Sequence, residues 1–321
     1  MTDQEAFQLD RRSVRVSFDR ASASYEAAAV LQNRVADELL SRLGTFAIGG
    51  GSTAADAPPS SRRRGVVLDL GSGPGRATGE LKRKFRRSVV IALDLAPGML
   101  NQARRYQRLF RRFERVCADA TRLPFADATV DVIFSSLMLQ WCDLDAAFAE
   151  IRRVLQPDGL LLFSTFGPDT LRELRTAWAQ ADQEAGTEAP AVGVAAYSHV
   201  NQFYDMHDIG DSLVRAGLLE PVLDVDRIQL TYADATALMR DLKAIGAHNV
   251  TAGRSRGLTG KLRLQRMQAA YESFRRDDRL PATYEVVYGT AWGSAGRSAT
   301  RAVDGEFRIA PGSIRRKGSR E

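Results

Sequence analysis

The run Asp69-Leu70-Gly71-Ser72-Gly73-Pro74-Gly75 closes the apolar stretch Val66–Leu70 and opens a helical pattern from about Arg76 to Phe85. A short apolar strand that turns on glycines into a helix reads as a βα unit. Glycine there lets the backbone pass close to a ligand. The alternation repeats along the chain. Val89–Leu93 is a second apolar run ending at Asp94, and a helix is predicted from Pro97 to about Arg111, with proline in its first turn. Val116–Ala118, Val130–Ser135 and Leu160–Phe166 are further apolar runs, with a helix at about Leu144–Leu155. Gln156-Pro157-Asp158-Gly159 reads as a turn before the last of them. Apolar strands alternating with helices predict an α/β fold, a doubly wound and mostly parallel sheet covered on both faces. Open sheets of this kind bind ligands at the carboxyl ends of their strands, where residues 71–75 fall.

The flanks are less regular. Residues 13–43 read as one amphipathic helix, with Val16, Tyr25, Val30, Leu31, Val35, Leu39 and Leu40 at roughly helical spacing. Residues 44–65 are rich in Gly, Ala, Ser and Pro and read as a linker. Later segments predict a helix at Leu171–Glu184, a loop at Glu184–Val194, and a helix at Asp208–Ala216 stopped by Gly217. A strand within Pro221–Tyr232, a helix at Ala235–Ile245, a basic helix at Leu262–Phe274 and a strand at Tyr284–Tyr288 follow. The expected organisation is an N-terminal helical lid (1–43), the linker (44–65), a main domain (66–296) with an insertion at about 168–206, and a basic tail (297–321).

Composition excludes some classes. With 44% hydrophobic and 26% charged residues, the 321-residue chain is neither collagen-like nor wholly disordered. It holds no run of about 18 apolar residues and no secretory h-region, so a cytoplasmic protein without a membrane partner is expected. Two cysteines, Cys117 and Cys142, cannot make a disulfide framework. The net charge of +6, mostly from arginine, points to nucleic acid, an anionic surface or an acidic protein.

The glycine turn is not a dinucleotide fingerprint. Counted from Gly71 the sixth position is Arg76, and counted from Gly73 it is Thr78. What remains is D-x-G-x-G-x-G, followed 19 residues after Gly75 by Asp94, with Asp119 closing the next strand. A carboxylate such as Asp94 can accept both hydroxyls of a ribose. Together these elements resemble the class I S-adenosylmethionine-dependent methyltransferases, which have a Rossmann-like fold. The resemblance implies S-adenosylmethionine as cofactor. It implies that Gly71, Gly73 and Gly75 line the methionine part, that Ser72 is also cofactor-binding, and that Asp69 meets the amino group. It places Asp94 on the ribose, Leu95 and Ser135 beside the cofactor, and Met99 on the adenine, with Asp119 and the Ala120 amide reading the adenine edge.

The acceptor is read from what the chain lacks and from its second half. Methyl transfer needs alignment more than acid–base chemistry, and no base stands beside the glycine turn. The N/D-P-P-Y/F motif of amino-directed nucleic-acid enzymes is absent, and the basic runs carry no interleaved aromatics, so no nucleic-acid partner is expected. The segments FDRASASYEAAAVLQ, LQW, FGPDTLREL, HVNQFYDMHDIGDSLVRAGLLEPVLDVDRIQLTY and PATYEVVYGTAW resemble the biotin-pathway malonyl-acyl-carrier-protein O-methyltransferases. That resemblance implies methylation of the free malonyl carboxylate, with malonyl-acyl carrier protein as partner. Another acceptor on the same fold, by quinone methylation or arginine modification, is the alternative.

Candidate acceptor residues are Tyr25, Trp141, Arg172, Arg175 and His199. Aromatic packing for Tyr25 and Trp141, a solvated helix face for the arginines and a structural role for His199 stand beside these readings. Three histidines without ligand spacing predict no metal site. Lys261, Arg263 and Arg266 are candidates for docking an acidic carrier.

Overall fold

The fold is given by a computed structural model that describes residues 9–46, 65–184, 199–247, 249 and 260–294. The apolar runs become strands β1 (Val66–Leu70), β2 (Val89–Asp94), β3 (Glu114–Cys117), β4 (Val130–Ser136) and β5 (Leu155–Phe166). Two long strands follow, β6 (Leu219–Tyr232) and β7 (Leu280–Trp292). They form one sheet in the order β3-β2-β1-β4-β5-β7-β6. The first five pair in parallel, and β7 runs antiparallel between β5 and β6. The chain winds outward on both sides of β1 and β4, so the switch point of the sheet lies between them, beyond the glycine turn.

The helices are α1 (Arg11–Ala21), α2 (Tyr25–Ala28), α3 (Val30–Phe46), α4 (Arg76–Lys84), α5 (Pro97–Gln102) and α6 (Leu144–Val154). Then come α7 (Arg172–Glu184), α8 (Met206–Arg215), α9 (Ala235–Ala244) and α10 (Lys261–Glu272). Alternate strand residues feed two cores. Val67, Leu160 and Leu162 pack under α3, α7 and α10, with Val35, Trp178 and Tyr271 fully or nearly buried. Leu68, Leu161 and Phe163 pack on the other face against Phe148 of α6 and Leu213 of α8. Each of these leucines is buried, so truncating one to alanine costs about 2–5 kcal/mol. No described helix is long and apolar enough to cross a membrane.

Several expectations are corrected. The single helix over 13–43 is three helices, broken by turns at Ser22–Ser24 and Ala29. The breaks shift the apolar stripe, leaving Val16 and Val30 exposed while Val14 and Ala21 are buried. The helix expected to reach Arg111 ends at Gln102 and passes through a 3-10 turn, Ala103–Tyr106. Continued helix would stack Arg104, Arg105, Arg108, Arg111 and Arg112, like charges three and four apart. Instead Arg115 takes the Leu100 carbonyl at 2.9 Å. The Gln156–Gly159 turn lies inside β5. Val130 pairs with Leu155 and Val132 with Leu160, so these four residues bulge from the ladder, with Asp158 at a φ of 60°. The turn and linker residues 185–198 and 47–64, the 297–321 tail and Arg62–Arg64 lie outside the described residues.

Candidate active site

The glycine turn is folded onto β2 by two amides: Gly71 and Ser72 both donate to the Leu93 carbonyl, at 2.8 and 2.9 Å. The next amide, Gly73, donates to Asp94 at 2.8 Å, and the Ala96 amide takes the other Asp94 oxygen at 2.8 Å. Burial nonetheless pushes the Asp94 carboxyl up to about 6, against the pull of these amides. Asp69 is 2% exposed and accepts the Thr78 hydroxyl. Burial, with the Asp94 charge adding to it, pushes Asp69 up to about 7.

Two glycines need their backbone freedom for different reasons. Gly73 has a φ of +52°, and a Cβ there would meet nothing within 4 Å. Its empty side faces the cleft that it lines with Gly71, Leu95 and Met99. Gly75 has a φ of +84°, and a Cβ there would come 2.5 Å from the Ala103 Cβ. One glycine leaves room, and the other permits close packing of α4 on the 3-10 turn.

The N-terminal helices close over this cleft. Arg11 pairs with Asp119 at 2.8 Å, and Asp19 accepts the Gly98 amide at 2.6 Å. Glu26 holds both Arg105 and the Tyr106 hydroxyl. Tyr25 faces Asp94, and burial plus that charge raise its phenol pKa. Phe18 meets Trp141 edge-on, with ring centroids 5.2 Å apart.

Helix α1 carries two stripes. Arg11, Val14 and Phe18, three and four residues apart, line the first cleft. Ser17, Arg20, Ala21 and, beyond the helix, Ser24 line a second cavity of about 770 Å³. Trp141 borders both. The second cavity has aromatic walls, including Phe166, Trp178, Phe203 and Tyr284. His199 stacks on Trp178 with centroids 3.9 Å apart and planes 10° apart. Its Nε2 is 3.3 Å from Asp182, which also holds Arg263 at 2.6 Å. Burial pulls the His199 pKa below its ordinary value, so the ring is neutral at pH 7. Arg20, Arg240 and Lys243 line the same cavity, and no described lining residue is acidic.

The residues singled out from sequence distribute as follows. Gly71, Gly73, Asp94, Leu95, Met99, Asp119, Ala120, Tyr25 and Trp141 come together around the first cleft. Asp69 and Gly75 stand behind it. Ser72 is buried beside it, and its hydroxyl has no hydrogen-bond partner among the described residues. Ser135 faces away, donating to the Leu70 carbonyl at 2.9 Å, and Ser136 lines the cleft in its place. Arg172 and Arg175 line neither cavity. Arg172 sits 3.5 Å from Glu173, and Arg175 ties down the Pro168 and Thr170 carbonyls at 2.7 and 2.9 Å. His199 does line the second cavity. Of the docking candidates, Arg263 and Arg266 are engaged by Asp182 and Glu184. Sequence reasoning missed Arg11, Phe18, Arg20, Arg240 and Lys243. The first two share a helical stripe with Val14 that a reading of α1 alone would expose.

Residues 68–163 match the family described as Methyltransferase domain. Over nearly its whole length the chain is similar to proteins named malonyl-[acyl-carrier protein] O-methyltransferase. It is 50% identical over 310 residues to that of Laribacter hongkongensis, covering 94% of this chain and 95% of the relative. It is 49% identical over 302 residues to that of Methylovorus sp., covering 92% and 93%. It is 44% identical over 320 residues to that of Halorhodospira halophila, covering 99% of each. With half of its residues shared across almost the full length of both chains, this protein belongs to the malonyl-[acyl-carrier protein] O-methyltransferase family.

Proposed function

We propose that the chain transfers a methyl group from S-adenosylmethionine to the free carboxylate of malonyl-acyl carrier protein, giving the methyl ester. The observation that carries this is a division of charge. The cleft at the glycine turn is bordered by Asp94 and by Asp119 with its partner Arg11, whereas the cavity across Trp141 holds three cations and no acid among its described lining residues.

The first cleft fits the cofactor. Gly73 leaves open space where any side chain would intrude, and the buried Ser72 hydroxyl lacks a partner among the described residues. Asp94 would take the ribose hydroxyls, Met99 would pack on the adenine, and Asp119 would read its edge. When bound, the cofactor supplies an electrophilic sulfonium methyl. The remaining work falls to the chain's own residues. Trp141 and Phe18 form the apolar wall between the two spaces, and Tyr25 closes the cleft from above. A carboxylate nucleophile carries its own charge and needs no general base, consistent with the neutral His199. Alignment and exclusion of water then supply the rate. An arginine side chain as acceptor would bring a fourth cation into the cavity, which disfavours that alternative.

The test is incubation with methyl-labelled S-adenosylmethionine and malonyl-acyl carrier protein. A labelled methyl ester is expected. No ester, under conditions where the protein binds S-adenosylhomocysteine, refutes the proposal.

A further inference from the structure

We propose that Arg20, Arg240 and Lys243 form a split anion clamp over the acceptor cavity, one part on the lid helix and one on α9, and that this clamp selects anionic thioesters over neutral ones. The inference rests on the acceptor reading above and assigns to it residues that sequence patterns did not reveal.

Three observations carry it. First, these cations are unspent. Arg42, Arg76, Arg153, Arg215 and Arg227 each hold a carboxylate within 3.1 Å, whereas Arg20, Arg240 and Lys243 hold none among the described residues. Second, they share one cavity, although Arg20 comes from α1 and the other two from a single face of α9, three residues apart. The two helices are pinned together beside them. The Ser24 hydroxyl donates to the Ala244 carbonyl at 2.8 Å, and a Cβ on Gly246 would lie 3.1 Å from the Ala21 Cβ. Third, the other walls are mostly aromatic and aliphatic, with Ser17, Ser24, Thr170, His199, Asn201 and Asn249 as neutral polar exceptions, so a positive rim on a largely apolar bowl focuses the field on an entering anion.

The cavity, about 770 Å³, has the size of a site for a whole drug-sized ligand. A malonyl thioester on its carrier arm brings two anions: the acyl carboxylate and the phosphodiester of the arm. Both share the chemistry the clamp recognises. A planar guanidinium pairs with either through two hydrogen bonds, and the ammonium adds a point charge.

The experiment uses the full-length chain and the variants Arg20→Ala, Arg240→Ala and Lys243→Ala, with Lys243→Arg as the conservative control. Methylation is measured on malonyl-pantetheine, which lacks phosphate, and on malonyl-phosphopantetheine. Each alanine variant is expected to raise KM about fivefold to tenfold with kcat nearly kept, the pattern of lost uniform binding. Lys243→Arg is expected to restore most of the loss, and the differences are expected to shrink at 0.5 M salt as screening shortens the field. A rise on both substrates identifies the carboxylate as the bound anion, and a rise on the phosphorylated substrate alone identifies the phosphate of the arm. Unchanged KM on both, in variants that melt like the parent, overturns the clamp. Absence of methylation by the parent protein overturns the acceptor reading instead.

Discussion

Gly73 and Gly75 share a left-handed backbone, yet the two alanine variants should fail in different ways. A left-handed conformation costs a residue with a Cβ about 1–2 kcal/mol. At Gly73 that is the whole structural cost, because the added methyl meets nothing within 4 Å. At Gly75 the methyl lands 2.5 Å from the Ala103 Cβ and 3.0 Å from its Cα, so helix α4 and the 3-10 turn must part. Overpacking of this kind adds about 1–3 kcal/mol, for a total near 2–5 kcal/mol. In a chain of 321 residues 1 kcal/mol moves the melting temperature by about 1–2 °C. Gly73→Ala is therefore expected to melt about 1–4 °C below the parent, and Gly75→Ala about 2–10 °C below. Binding should show the reverse emphasis. The Gly73 methyl would stand in the cleft, so the affinity for S-adenosylhomocysteine should fall at least about tenfold, or 1.4 kcal/mol. Folded Gly75→Ala should retain more of it. Calorimetric titration and thermal melts on the same samples decide the matter. Unchanged affinity in Gly73→Ala removes the cofactor from this turn, and a Gly75→Ala variant as stable as Gly73→Ala refutes the packing argument.

Three further outcomes follow from the site. Asp69, pushed up to about 7, holds a proton in the folded chain that the unfolded chain has released above about pH 4, so its contribution to stability falls as pH rises towards 7. His199, whose pKa is lowered, tilts stability the other way, so the readout is the difference in melting temperature between Asp69→Asn and the parent, which should grow between pH 5 and 7.5 in favour of the variant; a constant difference contradicts the assignment. Trp141→Ala should cut kcat/KM about 100-fold by loosening the alignment of donor and acceptor, while Trp141→Phe keeps most activity; a loss under threefold would show that the wall is dispensable. Because α1 borders both spaces, S-adenosylhomocysteine should tighten the binding of a non-reactive malonyl thioester mimic about 5-fold to 150-fold, with the same factor in the reverse order of addition; affinities independent of each other would show that the helix transmits nothing.

What the sequence disclosed and what it hid follow from distance along the chain. The βα unit, Asp94 and Asp119 are each local patterns, and together they outline the cleft. Breaks inside helices were harder to see. The turn at Ser22–Ser24 carries no proline or glycine, and only the burial of Val14 beside exposed Val16 reveals the shifted stripe. Arg172 and Arg175 both follow β5, but Arg175 bonds the loop before α7 and Arg172 sits beside Glu173, its own neighbour in the helix. The cations that line the second cavity come from α1 and α9, and the hydrogen bond beside them, from Ser24 in the turn after α1 to Ala244, spans 220 positions. No spacing rule connects residues that far apart, and each looks alone like an ordinary exposed charge.

The placement of charge also bears on the rate. Transfer from a cationic donor to an anionic acceptor cancels both charges, so a polar environment at the point of contact would stabilise the reactants more than the transition state. The structure separates the two requirements along one helix. On the proposed reading, Asp94 and the Arg11-paired Asp119 border the cleft for the cofactor and three cations rim the cavity for the acceptor, while Trp141 borders both and Phe18 meets it edge-on. Attraction then acts on each partner as it enters, and the reacting atoms meet against apolar groups. A cation moved into that boundary, as in Phe18→Arg, would tighten the binding of an acceptor carboxylate and slow its methylation. The arrangement therefore favours cations at the rim and aromatic rings at the point of transfer, and it gives part of the chain's +6 a place in the chemistry.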